Sequence, residues 1–167
     1  MGNPEYEMEE TIDQDFSWLE TAIGLFDLGS FGYGDMIPHE WLKSALGINP
    51  KPQTAQDQKE MQLDLLTKFT IFRSWLLEER KMAVESVKGS GYRIIKPEEQ
   101  TNFAATKFFK DVDKAFRNSA HIIENTANHM LSLSERMRKN IIRDKIQSVN
   151  QAISKERHII MHYIEKD

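Results

Sequence analysis

The sequence predicts a mainly α-helical protein with a small β-hairpin in the middle of the chain and a long αα-hairpin at its C-terminal end. Three observations carry this reading. Apolar residues recur at three- and four-residue spacing from position 15 to Arg80; "VESVKGSGYRI", residues 84–94, joins two short extended runs through Gly-Ser-Gly; and two long periodic stretches follow Pro97.

The elements follow in order. Phe16, Leu19, Ile23 and Phe26 share one helical stripe, Asp15 is placed to cap it, and "LGSFGYGD" supplies turn residues, so the first helix is expected over 15–28. "DMIPHEWLKSALGI" carries Pro38 in a first-turn position and Gly47 just past the last apolar residue, the asymmetry of a short helix over 38–46. Pro50 and Pro52 deny helix to "NPKPQT", and Thr54 opens the next element. From there to Arg80 the residues Met61, Leu65, Phe69, Phe72 and Leu76 form one stripe, widened by Leu66 and Trp75. "MAVESV", "KGSG" and "YRII" then read as strand, turn and strand, a two-stranded ribbon that needs the preceding helices to cover its apolar side.

After Pro97, Ala104, Phe108, Val112, Ala115, Ser119 and Ile122 repeat at three or four from Gln100 to about Leu131. "SLSE" has a capping-box pattern, with Ser132 and Glu135 satisfying each other's amides at the start of a second long helix. In that helix Ile142, Ile146, Val149, Ile153, Ile160 and Tyr163 keep a heptad seam with Glu156 at one apolar position. Two helices of ~30 residues, each ~45 Å long, would fold back on each other. Their apolar surface exceeds what two helices can bury, so the seam of Ile142, Ile146, Val149, Ile153 and Ile160 is expected to dock on the first domain or to join two chains as a homodimer. The expected organisation is an acidic, flexible tail over 1–14, a domain over 15–97 and a helical hairpin over 98–167.

Charge and composition narrow the function. Residues 1–42 hold ten Asp or Glu and no Lys or Arg, while the rest of the chain holds 22 basic and 16 acidic residues, so the two parts should attract each other. No cysteine occurs, which removes disulfide frameworks and thiolate metal sites and fits a reducing cytosol, hence a cytoplasmic location. The first ten residues have no basic or apolar leader, and no apolar run reaches the ~20 residues of a membrane span.

The succession of a short helix, a longer helix bearing "FTIFRSWLLEER" and the hairpin "VESVKGSGYRI" resembles the winged-helix DNA-binding module of phosphorelay response-regulator transcription factors. The likeness covers about residues 38–96, and its most diagnostic part is "SVKGSGYRI". It implies a winged helix-turn-helix whose β-hairpin is the wing. Lys68, Thr70, Arg73 and Ser74 would then face the major groove of double-stranded DNA, and Lys88 and Arg93 would approach the phosphates. Against that family's pattern, residues 1–37 are expected to be too few for a receiver domain or the family's N-terminal sheet. Residues 59–81 also carry five basic against four acidic side chains, a weak charge for a DNA-reading helix.

Other residues bear on function less directly. Arg136, Arg138, Lys139, Arg143 and Lys145 form a basic patch that reads as a solvated face, a phosphate-contacting surface or a docking site for the acidic N-terminus. His158 and His162 have i, i+4 spacing, but two ligands do not make a metal site and the catalytic Glu of a zincin is missing. "GSFGYG" lacks the Lys-Ser or Lys-Thr of a P-loop, and no local motif suggests a nucleophile with its base. The expectation is a non-enzymatic protein without metal or cofactor. Two functions fit: a small transcriptional regulator that reads DNA as a dimer, or a phage- or mobile-element-encoded inhibitor that binds a host protein through its acidic N-terminus or its helical hairpin.

Overall fold

The computed structural model describes residues 17–48 and 51–165, and the chain divides into two units after Pro97. The protein is mainly helical, with one small antiparallel sheet in the first unit and a helical second unit. The acidic segment over 1–14, the capping position Asp15 and Phe16 lie outside the described residues.

In the first unit, α1 (Ser17–Leu28) buries Ala22 and Phe26, one helical turn apart. The loop after it is tied by Gly32 N donating to Asp35 Oδ2 at 2.8 Å, and it leads into β1 (Met36–Pro38). Sequence reasoning missed this strand: three residues ending in proline offer no alternation to read, and Pro38 is tolerated because β1 is an edge strand. Pro38 belongs to that strand and stands at the N-cap of α2 (His39–Ala45), one position before the first turn. Leu42, Ala45 and Leu46 are buried.

Helix α3 (Ala55–Arg80) starts where Thr54 was expected to start it. Thr54 Oγ1 accepts from Asp57 N at 3.0 Å and Asp57 Oδ2 accepts from Thr54 N at 2.9 Å, which satisfies two amides that no helical carbonyl can reach. Its inward stripe is the expected one, with Phe69, Phe72 and Leu76 buried, but Leu66 lies 63% exposed on the outer side. Phe26 packs edge-on against Phe72 at 5.9 Å and Trp75 at 6.5 Å between ring centroids. Full burial of side chains such as Phe72 and Leu76 stabilises the unit by about 1.5–3 kcal/mol each. The helix ends at Lys81, whose φ of 59° is left-handed and lets Met82 N donate back to Leu76 O at 3.0 Å.

Strands β2 (Val84–Val87) and β3 (Gly91–Ile94) form the expected hairpin, and β1 adds to β3 to give a three-stranded sheet in the order β1-β3-β2. Gly89 in the loop has φ 79°. Gly91 has φ 148°, and a Cβ there would stand 2.0 Å from Ile37 O, so the close approach of β1 to β3 excludes every other residue. Side chains alternate across the sheet: the Tyr92 ring lies 4.1 Å from Phe69 of α3, while Arg93 sits across from Glu85.

The second unit consists of α4 (Pro97–Glu124), a 3-10 turn over Asn128–Met130 and α5 (Leu133–Ile164). Helix α4 stops seven residues before the Leu131 expected from periodicity. Asn125 Nδ2 donates to His121 O at 2.8 Å and Thr126 Oγ1 to Ile122 O at 3.0 Å, so side chains occupy carbonyls at the end of the helix. The capping box at α5 is present: Glu135 N donates to Ser132 Oγ at 3.3 Å and Ser132 N to Glu135 Oε2 at 2.7 Å. The helices run antiparallel: Arg157 near the end of α5 bonds Asp113 just past the middle of α4 at 2.5 Å, while Ile146, earlier in α5, lines a cavity with Ile123 at the end of α4. Phe109 is the one buried side chain among the described residues of α4, and α5 has none. The residues of α4 facing α5 are Phe109, Phe116 and Ile123, one position beyond the expected stripe; Phe108 and Ile122 of that stripe are 55% and 70% exposed.

Candidate functional site

Successive residues of a helix are about 100° apart, so the expected DNA-facing set can be tested for a common face. Thr70, Arg73 and Ser74 are exposed on α3, Thr70 and Ser74 on the side away from Phe72 and Leu76 and Arg73 on the flank between that side and the core. Arg73 lies one turn beyond Phe69, which packs on Tyr92, and it makes no hydrogen bond or ion pair with the described residues. Thr70 Oγ1 donates to Leu66 O at 2.7 Å. Lys68 does not join this face. Its ammonium bonds Asp64 at 3.0 Å and stands 5.8 Å from the Trp18 ring, on the half-buried flank toward α1.

Lys88 is exposed in the β2–β3 loop. Arg93 is engaged: its guanidinium meets Glu85 Oε1 at 2.7 Å across the hairpin, and both side chains are about two-thirds covered. A pair of this kind holds the two strands in register and occupies the charge that a phosphate would need. The structure therefore groups Thr70, Arg73 and Ser74 on one helix face and puts Lys88 in the loop, with Lys68 and Arg93 committed to carboxylates.

Sequence reasoning missed what fills the remainder of the outer face. Leu63, Leu66 and Leu77 are 65%, 63% and 50% exposed. With Thr70 and Arg73 they make a second 3-4 stripe, a signal hidden by assigning Leu66 to the core. Helix α3 carries five acidic against four basic side chains, so its field is close to neutral.

In the second unit the expected basic patch separates into two sets. Arg136, Lys139 and Arg143 fall on one side of α5, and Arg138 and Lys145 about 140° away by helical phase. Lys139 Nζ donates to Asn128 Oδ1 at 2.7 Å and Arg143 pairs with Asp144 at 3.0 Å. The expected seam divides as well: Ile146 and Ile153 are half-buried, while Ile142, Val149 and Ile160 stay exposed.

Between the helices lie two open cavities. One, about 290 Å³, is lined by Phe109, Lys110, Asp113, Arg117, Arg157 and neighbours; the other, about 280 Å³, by Phe116, Ile123, Arg143, Ile146 and neighbours. Arg157 donates to Asp113 and places its guanidinium 4.9 Å from the Phe109 ring, and this hydrogen bond holds the Asp113 carboxyl below the usual carboxylate range. Its Nε is buried without a partner. Periodicity could not reveal this pair, since a charged residue on an apolar stripe reads as an interruption.

Among the described residues no three His, Asp or Glu side chains cluster as a metal site, and no helix is long and apolar enough to cross a membrane. No protein-family model matches the sequence, and neither the curated proteins nor the solved structures provide a match.

Proposed function

We propose that the first unit is a winged-helix module that docks on double-stranded DNA and that the chain is a small transcriptional regulator. Supporting this is the order α1-β1-α2-α3-β2-β3 with a small antiparallel β1-β3-β2 sheet, an arrangement compatible with a helix presented beside a β-hairpin. In this reading α3 offers Thr70, Arg73 and Ser74 to the major groove and the β2–β3 loop brings Lys88 to a phosphate. Arg93 acts indirectly, by pairing with Glu85 and stiffening the wing. A helix with more acidic than basic side chains neutralises few phosphates, so one module binds weakly and two modules on one duplex are needed for useful affinity.

Titrating a labelled duplex with protein over a range of salt tests the reading. Each phosphate contact contributes a slope of about −0.9 in log K against log salt, so Lys88→Ala should reduce the slope by about one unit on any sequence. Arg73→Ala should relax sequence preference. A protein that fails to bind DNA at ~50 mM salt, the low end of the range where such contacts act, ends this reading.

A second reading, an interaction protein directed at a host protein, is favoured by one observation: three exposed leucines on the face that would enter the groove. Leu66→Lys separates the two. It adds a cation to a DNA-facing surface and should tighten DNA binding in the first reading, whereas in the second it should abolish association with the protein target.

A further inference from the structure

The second unit is a helix pair without a core of its own. Among its described residues only Phe109 is buried, two cavities separate the helices, and large apolar side chains remain exposed along both. The pattern of that exposure is regular.

Helix α4 and the two residues after it carry an uncharged 4-3 repeat from Thr101 to Thr126. One half of it, Ala105, Val112, Ser119 and Thr126, is half-buried, and the other half, Thr101, Phe108, Ala115 and Ile122, is exposed. Helix α5 repeats the arrangement: Ile146 and Ile153 are half-buried, while Ile142, Val149, Ile160 and Tyr163 are exposed. When two helices pair alone, a heptad seam points straight at the sister helix. Here both seams are rotated away from it, so that only half of each is covered. That is the orientation of helices in a four-helix bundle, where every seam points at a shared axis and each helix meets two neighbours.

The direction of rotation is the same in both helices. Counted along each chain at about 100° per residue, the exposed half of the seam is displaced in the negative sense from the residues that face the sister helix. Because α4 and α5 are antiparallel, equal senses put both exposed halves on one side of the pair. The opposite side of α4 carries Lys107, Lys110, Lys114 and Arg117, so the pair is amphipathic as a whole.

We infer that the helical hairpin pairs with a second copy of the chain through the face formed by Phe108, Ile122, Ile142, Val149, Ile160 and Tyr163, making an intermolecular four-helix bundle. Area identifies the occupant. These six side chains are between 39% and 70% exposed. At roughly 150–250 Å² of full area for a large side chain, they offer on the order of 500–800 Å² per chain. A stable dimer needs ~800 Å² per partner, which the small residues between them supply. A two-fold axis sets identical seams against each other, so one sequence provides both halves. Glu156 is the only charge in the α5 seam and lowers the stability of the bundle. The inference is independent of DNA binding.

Mass measurement of the full chain by light scattering on a sizing column, without DNA, tests it. The wild type should run as a dimer, twice the 19.5 kDa chain mass. Phe108→Glu combined with Val149→Glu should give a monomer that keeps the folded first unit, read by near-ultraviolet circular dichroism of its buried aromatic residues, while its unpaired hairpin loses helicity. Glu156→Leu should tighten the dimer at least tenfold, and Lys114→Glu, on the opposite side, should leave the mass unchanged. A monomeric wild type at ~100 µM, where interfaces of this size are occupied, overturns the inference. So does a dimer that survives Phe108→Glu with Val149→Glu, or one that Glu156→Leu does not tighten.

Discussion

The β-hairpin shows how unequal two similar residues can be. Gly89 and Gly91 flank the same serine and both have positive φ, but Gly89 meets open space where a Cβ would be, whereas Gly91 lies against the Ile37 carbonyl. Gly89→Ala should cost about 1 kcal/mol from backbone strain alone. Gly91→Ala must in addition push β1 away from β3, so it should cost several-fold more, and a urea unfolding midpoint shows the difference. Equal midpoints for the two variants would mean that β1 yields freely. Lys81 presents the reverse case: a side-chain-bearing residue in left-handed backbone at the end of α3. Lys81→Gly removes that strain and should raise stability by about 0.5–1 kcal/mol, read in the same measurement, provided its Nζ bond to Glu78 O is worth less than the strain.

Helices were legible from the sequence where their ends are chemically marked. Ser132 is marked by a hydroxyl followed three residues later by a carboxylate, which satisfies two amides at once, and Thr54 by the prolines that end the loop before it; the structure gives both a capping box, the one at Thr54 with Asp57 going unread in the sequence. The end of α4 was missed because Asn125 and Thr126 act through local side-chain bonds that no hydrophobic period reports. β1 was missed because its pairing depends on Gly91, more than fifty residues away. Of the candidate site, Lys68, Thr70, Arg73 and Ser74 come together only through the resemblance to winged-helix modules; helical phase separates Lys68 from the other three, and the partners of Lys68 and Arg93 depend on local, tertiary and cross-strand packing. The capping boxes also titrate. Hydrogen bonds from Ser132 hold the Glu135 carboxyl below its ordinary value, as those from Thr54 and Gln53 do for Asp57. A depressed folded pKa means that the contribution is complete above the ordinary carboxylate range and is lost as pH falls through the lowered value. Amide exchange in the first turn of α5 should therefore accelerate below the carboxylate range. Glu135→Gln should remove that acid-dependent step, and a step of unchanged size in the variant would assign it to another group.

At the scale of the molecule the two units hold themselves together by different means. The first assembles twelve buried apolar residues from α1, α2, α3 and the sheet into one cluster, enough to order a domain of this size. The second has two long helices, α5 with a capping box, but one buried side chain among its described residues, and an isolated helix pair with so little burial cannot offset the backbone entropy of ordering some seventy residues. Separate expression of residues 1–97 and 98–167 should expose this contrast. The first fragment should melt in one cooperative transition at a temperature that does not depend on concentration. The second should lose helicity on dilution and regain it on concentration, because its core forms only when two hairpins meet, and its melting temperature should rise with protein concentration by mass action. Circular dichroism over a hundredfold range of concentration measures both. A 98–167 fragment that stays helical and melts at one temperature over that range would mean that the hairpin is stable by itself, and the exposed seams would then need another explanation than self-association.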